Sequence, residues 1–151
     1  MVVSRAEWYS ARPFLRLDYI TYRLYTLFMG AKRVVYYVDA RGRNPVFEDL
    51  QKLTDEEQRK IFAFISFLRE RGEELRRPMA DYVGDKLYEL RPKAHRALYF
   101  FMLKDYAVVV HLFRKKTNRL PDAEKRVALS RTADFLRRYQ QGEVTLGGEL
   151  L

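Results

Sequence analysis

Between residues 86 and 113 the chain runs KLYELRPKAHRALYFFMLKDYAVVVHLF, three apolar runs rich in aromatic and β-branched residues, parted by two short polar breaks. Runs of this composition and length read as strands. Breaks this short join only antiparallel neighbours, because a parallel crossover needs a dozen residues or more. Strands are expected at 86–91, 96–103 and 106–113, with Pro92-Lys93-Ala94-His95 as the first turn and Lys104-Asp105 as the second. The product is a meander, which places an antiparallel sheet at the centre of the fold.

The flanks supply the rest of the layers. Residues 34–38 (VVYYV) read as a further strand. Asn44 then suits a cap and Pro45 a first helical position, predicting a short helix to about Leu53. The TDEE at 54–57 has the form of a capping box, in which Thr54 and Glu57 satisfy each other's free amides. It opens a longer helix to about Arg71, with Ile61, Ile65 and Leu68 on one face, Phe62 and Phe64 widening it, and Gly72 as its stop. Residues 73–85, with Pro78 and Gly84, read as a connector. After the meander a final helix is expected from Pro121, with Ala128, Thr132, Phe135, Leu136 and Tyr139 on a shared face. The order β-α-α-β-β-β-α predicts an α+β fold, a small antiparallel-rich sheet with helices packed on one face.

A chain of 151 residues holds one domain of this kind. The expected division is an N-terminal extension over 1–32, the folded domain over 33–141 and a tail over 142–151. Residues 14–29 (FLRLDYITYRLYTLFM) fit both a helical spacing and a strand alternation, and Met29 is an alternative start. Arg16, Asp18 and Arg23 interrupt this stretch, which falls short of the ~20 clean apolar residues of a membrane span. No small-residue cleavage site follows it. With no cysteine in the chain, disulfides and thiolate chemistry are excluded, and a cytoplasmic location is expected. The only histidines, His95 and His111, do not have zinc spacing, so no metal and no cofactor is expected.

Against 20 acidic residues stand 29 Lys and Arg, a net charge of +9 that favours polyanionic partners, nucleic acid first. If the first turn is four residues, Arg91 and Arg96 are opposed across the strands, where like charges cost stability. Two guanidinium groups held together on a sheet can grip a phosphate. Alternatively both splay into solvent, or Glu89, on the same face as Arg91, neutralises one. A second basic group, Arg114, Lys115, Lys116 and Arg119, leaves the last strand of the meander, either as a phosphate-binding strip or as a solvated loop. The reversal at 104–105 brings that exit back beside Arg96, and Lys93 sits in the turn between. His111, inside an apolar strand, is more often a packed, hydrogen-bonded residue than a catalyst, and His95 is expected in solvent at the turn. Tyr88, Tyr99 and Tyr106 read as core or sheet surface, where an exposed ring could stack on a base.

There is no Gly-rich phosphate loop, no GxSxG and no paired carboxylates at metal-like spacing. The chemistry open to such a set is metal-free: RNA cut by its own 2′-hydroxyl needs a base, an acid and cations for the phosphorane. A lysine crowded by arginines is pushed toward the role of base.

LYELR, RALYFF and HLFRKKT…P…E, in that order within 33–138, resemble the RelE/HigB-like toxins of type II toxin–antitoxin systems, in their phage-derived branch. The resemblance implies a small endoribonuclease that cuts mRNA, usually on the ribosome, without metal. It maps Arg91, Arg96, His111, Lys115 and Lys116 onto the family's catalytic positions; Lys93, Arg114 and Arg119 are expected to bind RNA through their charge. It also implies an antitoxin partner, often of helix-turn-helix type. The front extension and the short loop between Arg91 and Arg96 depart from the family's pattern. Two other readings stand beside it: a nucleic-acid-binding protein of phage origin without catalysis, and a structural phage protein.

Overall fold

The structure, a computed structural model, describes residues 32–144. The extension, apart from Lys32, and the tail beyond 144 lie outside the described residues. In chain order the elements are β1 (Arg33–Tyr36), α1 (Pro45–Gln51), α2 (Asp55–Arg71), a 3-10 turn (Gly72–Glu74), β2 (Ala80–Gly84), β3 (Leu87–Leu90), β4 (His95–Met102), β5 (Tyr106–Arg114) and α3 (Asp122–Gln140). The five strands lie in the order β1-β5-β4-β3-β2; β1 runs parallel to β5 and the other pairs are antiparallel. The fold is α+β.

The local signals act as their chemistry dictates. Asn44 accepts at Oδ1 from the Phe47 amide, 3.0 Å away, with Pro45 at the first helical position. The capping box closes in both directions: the Glu57 amide donates to Thr54 Oγ1 at 3.2 Å and the Thr54 amide to Glu57 Oε2 at 3.0 Å.

Two expectations need correction. The stretch read as a connector over 73–85 holds β2, paired with β3 through Ala80↔Leu90 and Tyr82↔Tyr88. Asp85 and Lys86 turn this hairpin with φ of 53° and 63°, the two positive values a type I′ turn requires, without the usual Asn-Gly signature. The helices, moreover, are divided between the two faces of the sheet. Val34, Tyr36, Ala107 and Val109 pack with Val46 and Leu50 of α1 and Ile61, Ile65 and Leu68 of α2. Their strand neighbours Val35, Tyr37, Val108 and Val110 pack with Ala128 and Phe135 of α3. Strand residues alternate between faces, so α3 covers the face opposite α1 and α2. Among the described residues no helix is long and apolar enough to cross a membrane.

Candidate functional site

β3 ends, β4 begins and β5 ends at one edge of the molecule. The turn joining β3 to β4 is drawn tight by the Lys93 amide donating to the Arg91 carbonyl at 2.9 Å and the His95 amide to the Pro92 carbonyl at 3.1 Å. Lys93 takes a φ of 53°, uncommon for a side-chain-bearing residue, at its tip. The Lys115 amide then donates to the Ala94 carbonyl at 2.7 Å, and the register pairs His95 with Arg114 and Arg96 with Phe113. Arg91, Lys93, Arg114 and Lys115 are thereby gathered at this edge. Lys116 and Arg119 follow in the exposed loop before α3. Arg114 gives part of its charge to Glu57, 2.7 Å away; Lys93, Lys115, Lys116 and Arg119 have no acidic partner among the described residues.

The arginines are not left to repel each other. The last β3–β4 pair is Leu90↔Ala97, so Arg91 and Arg96 stand one step beyond it. Both turn to one carboxylate oxygen, Glu89 Oε1, with Nε at 3.5 Å for Arg91 and 3.1 Å for Arg96. Arg96 also donates to the carbonyls of Lys93 at 3.0 Å and His95 at 2.7 Å. It is only 5 % exposed, whereas the Arg91 side chain keeps 22 %. Burial pushes the Glu89 carboxyl up, opposed by Arg96 and Arg91, and pushes Arg96 down, opposed by Glu89. Arg96 is the strut of the turn, and Arg91 is the arginine that solvent can reach.

His95 is buried rather than solvated, 3 % exposed, because it is the first residue of β4 and shares a face with Ala97 and Tyr99. Its Nε2 has no hydrogen-bond partner among the described residues. His111 sits at a bulge, pairing with Leu98 while the next pair is Tyr99↔Val109. Its ring lies 5.4 Å from that of Phe113 and is nearly parallel to it, at 26°. Arg131 approaches Nδ1 at 3.2 Å, and Glu124 makes a close contact with Nε2. Arginine can only donate, so Nδ1 accepts and Nε2–H donates to Glu124. Both nitrogens are engaged. Glu124 and Arg131 escaped the sequence reading, although they fall with Ala128, Phe135 and Arg138 on one helical stripe, where charged residues among apolar ones mark contact with the sheet.

Burial lowers the pKa of both histidines, opposed by Glu57 at His95 and chiefly by Glu124 at His111. The unfolded chain therefore binds more protons than the folded one in mild acid. Stability from these groups is fully present above about 6.5, the ordinary histidine value, and is lost as pH falls through the lowered ones. Glu89, shifted upward, acts in the opposite sense, and only above the ordinary carboxylate range. The melting temperature is expected to fall as pH is lowered from 7.5 toward 5; His95→Leu should flatten that fall, and a pH-independent melt would contradict it.

Among the described residues no three His, Asp or Glu side chains converge as a metal site would require. The family model for phage derived protein Gp49-like (DUF891) matches residues 48–133, more than half of the chain. No curated protein matches it. Among solved structures the chain is similar to the archaeal RelE-RelB complex from Pyrococcus horikoshii OT3, at 20% identity over 57% of this chain and 97% of that one, with a TM-score of 0.43.

Proposed function

The chain belongs to the phage derived Gp49-like family, a family of RelE/HigB-type toxins, and from this we propose that it is a metal-independent endoribonuclease of a type II toxin–antitoxin system. Its substrate is mRNA, cut on the translating ribosome in the cytoplasm, and a small antitoxin, of helix-turn-helix type, covers the basic edge. The observation that supports the reading is the convergence of Arg91, Lys93 and Lys115 on one edge, through the bond between the Lys115 amide and the Ala94 carbonyl, with Lys116 next in the chain.

In the proposed reaction the 2′-oxygen attacks the adjacent phosphorus, the bond to the 5′-oxygen breaks, and a cyclic phosphate and a 5′-hydroxyl result. One of Lys115 and Lys116 takes the 2′-proton and the other returns one to the leaving oxygen. Arg91, oriented by Glu89, meets the charge that grows on the phosphorane. Arg96 acts through the turn carbonyls it holds, and Lys93, Arg114 and Arg119 bind flanking phosphates. His111 has no nitrogen free to meet RNA; it organises Glu124 and Arg131 beneath the edge.

The test is to induce the chain alone in bacteria, follow growth and map new 5′ ends of mRNA. Growth arrest with discrete new ends inside coding regions is expected, undiminished in lysates treated with a chelator. Intact mRNA would overturn catalysis. The engagement of both His111 nitrogens favours a second reading, a nucleic-acid-binding protein that does not cut, and that outcome would be RNA binding without new ends. Under either reading phosphate contacts dominate. Replacing Lys93, Lys115, Lys116 and Arg119 by alanine is expected to lower the slope of log affinity against log salt by about 0.7 for each lost contact on single-stranded RNA. An unchanged slope would remove the electrostatic argument.

A further inference from the structure

On the face of the sheet that α2 leaves open toward β2, three tyrosines stand side by side across three strands. The register pairs Tyr82 with Tyr88 and Tyr88 with Tyr99. Ring centroids are 5.1 Å apart for the first pair and 5.6 Å for the second, which is stacked at 22°. Phe101 closes against Tyr88 at 5.0 Å. The ladder runs from core to solvent: Tyr99 is fully buried, Tyr88 half-buried, and Tyr82 is 55 % exposed on the edge strand. Core packing does not require that last ring, yet it is held, because its hydroxyl accepts from the Lys86 amide at 3.3 Å.

Tyr82, Tyr88 and Phe101 form the floor of an open cleft of about 770 Å³ that is also lined by Arg76, Arg77 and Lys86, with Tyr99 buried behind them. Glu73 and Asp81 also line it, but Glu73 is taken by Lys32 at 2.7 Å and Asp81 by Arg77 at 2.5 Å. Arg76 and Lys86 have no acidic partner among the described residues. We propose that this cleft is a second RNA subsite, in which an unpaired base stacks on Tyr82 and Tyr88 while its phosphates meet Arg76, Arg77 and Lys86.

Aromatic rings on an open sheet face with cations beside them are what single-stranded RNA binds, since every base has a π-face and every link a phosphate. A protein strand added to the edge is the competing occupant. β2 is short, is bulged between Tyr82 and Gly84 and carries Asp81, all of which discourage strand addition. The subsite is also continuous with the basic edge. The Arg91 amide donates to the Met79 carbonyl at 2.9 Å, and Asp81, gripped by Arg77, pairs across from Glu89. Asp81, Glu89 and Arg91 face the opposite side of the sheet from Tyr82 and Tyr88, so RNA held at Arg91 would reach the tyrosines by passing around the β2 edge at Arg77, which lines the cleft. The proposal rests on the RNA reading above for the identity of the ligand.

The experiment uses the full chain and a short 2′-O-methyl oligouridylate, which cannot be cut through its 2′-oxygen, with one 5-iodouracil for crosslinking. Tyr82→Ala is expected to weaken binding about five- to hundredfold, the usual loss for one stacked base. The melt should be unchanged, since the ring is exposed. Tyr82→Phe should bind within a few-fold of the parent, and the crosslink should map to Tyr82 or Tyr88. Parental affinity in Tyr82→Ala, or a crosslink confined to the basic edge, would overturn the subsite and leave the face to packing or to a protein partner. A Lys115→Ala/Lys116→Ala variant separates the two readings. If it binds as the parent does while Tyr82→Ala is weakened, the basic edge is wrong and the ladder stands; if it alone is weakened, the reverse holds.

Discussion

Arg91→Ala is expected to abolish growth arrest and to slow RNA cleavage by about 10²–10³, the usual effect of removing one preorganised donor aimed at developing charge. The expectation comes from the division of labour between the two arginines. Arg96 spends Nε–H on Glu89 and both Nη1 donors on the carbonyls of Lys93 and His95. Among the described residues Arg91 is tied to an acidic partner only at Nε, by a long 3.5 Å contact, and it keeps solvent access. Under the proposed function its remaining N–H groups are the ones to meet a phosphate. Arg91→Lys should not rescue, because an ammonium group cannot form the two parallel bonds of a guanidinium. The fold should tolerate the loss, within about 1 kcal/mol, because a partly exposed ion pair contributes little and Glu89 keeps Arg96. Cleavage rate and melting temperature measured on the same preparations decide the matter. A folded Arg91→Ala variant that cuts at the parental rate would remove Arg91 from the reaction.

Much of this arrangement is legible in the residues. The meander follows from three apolar runs and two short breaks, and its reversal at 104–105 carries the basic exit back to the turn. What the sequence conceals is set by tertiary pairing. ADYVG has too little β-branched or aromatic weight to announce β2; it is a strand because β3 offers a partner, and its turn uses Asp85-Lys86 where Asn-Gly would have been a signal. The division of helices between faces does leave a trace in the strands. LYFF in β4 and VVV in β5 are apolar at consecutive positions, and a strand apolar on both sides has both faces covered. His95 fails as a solvated residue for a related reason: one residue of error at a strand end moves a side chain from loop to core. Polar contacts across long sequence distance, Glu57 with Arg114 and Glu124 with His111, leave no local pattern beyond an acidic residue on a helical face.

Glu89→Ala is expected to destabilise the protein by about 3 kcal/mol, because it strands a buried arginine without its carboxylate. In a domain of this size that lowers the melting temperature by roughly 10–20 °C. The Glu89 and Arg96 side chains are 6 % and 7 % exposed, so solvent does little to screen the loss. The upward push on the Glu89 carboxyl and the downward push on Arg96 have the same origin in burial. The pair is costly to bury, and its expected contribution is to hold geometry rather than to add stability. Replacing both partners by apolar residues should accordingly recover most of what one replacement loses. Glu89→Leu with Arg96→Met is expected to melt near the parent, while either change alone melts well below it, giving a coupling energy above about 1 kcal/mol in the double-mutant cycle. Cleavage should not follow stability. The restored double variant keeps its sheet but loses the donors that fix the Lys93 and His95 carbonyls, so Arg91 and Lys93 lose their placement and RNA cutting stays low. A double variant that is both stable and fully active would show that the Glu89–Arg96 pair does not position the turn. A Glu89→Ala protein that melts with the parent would show that Arg96 needs no carboxylate there.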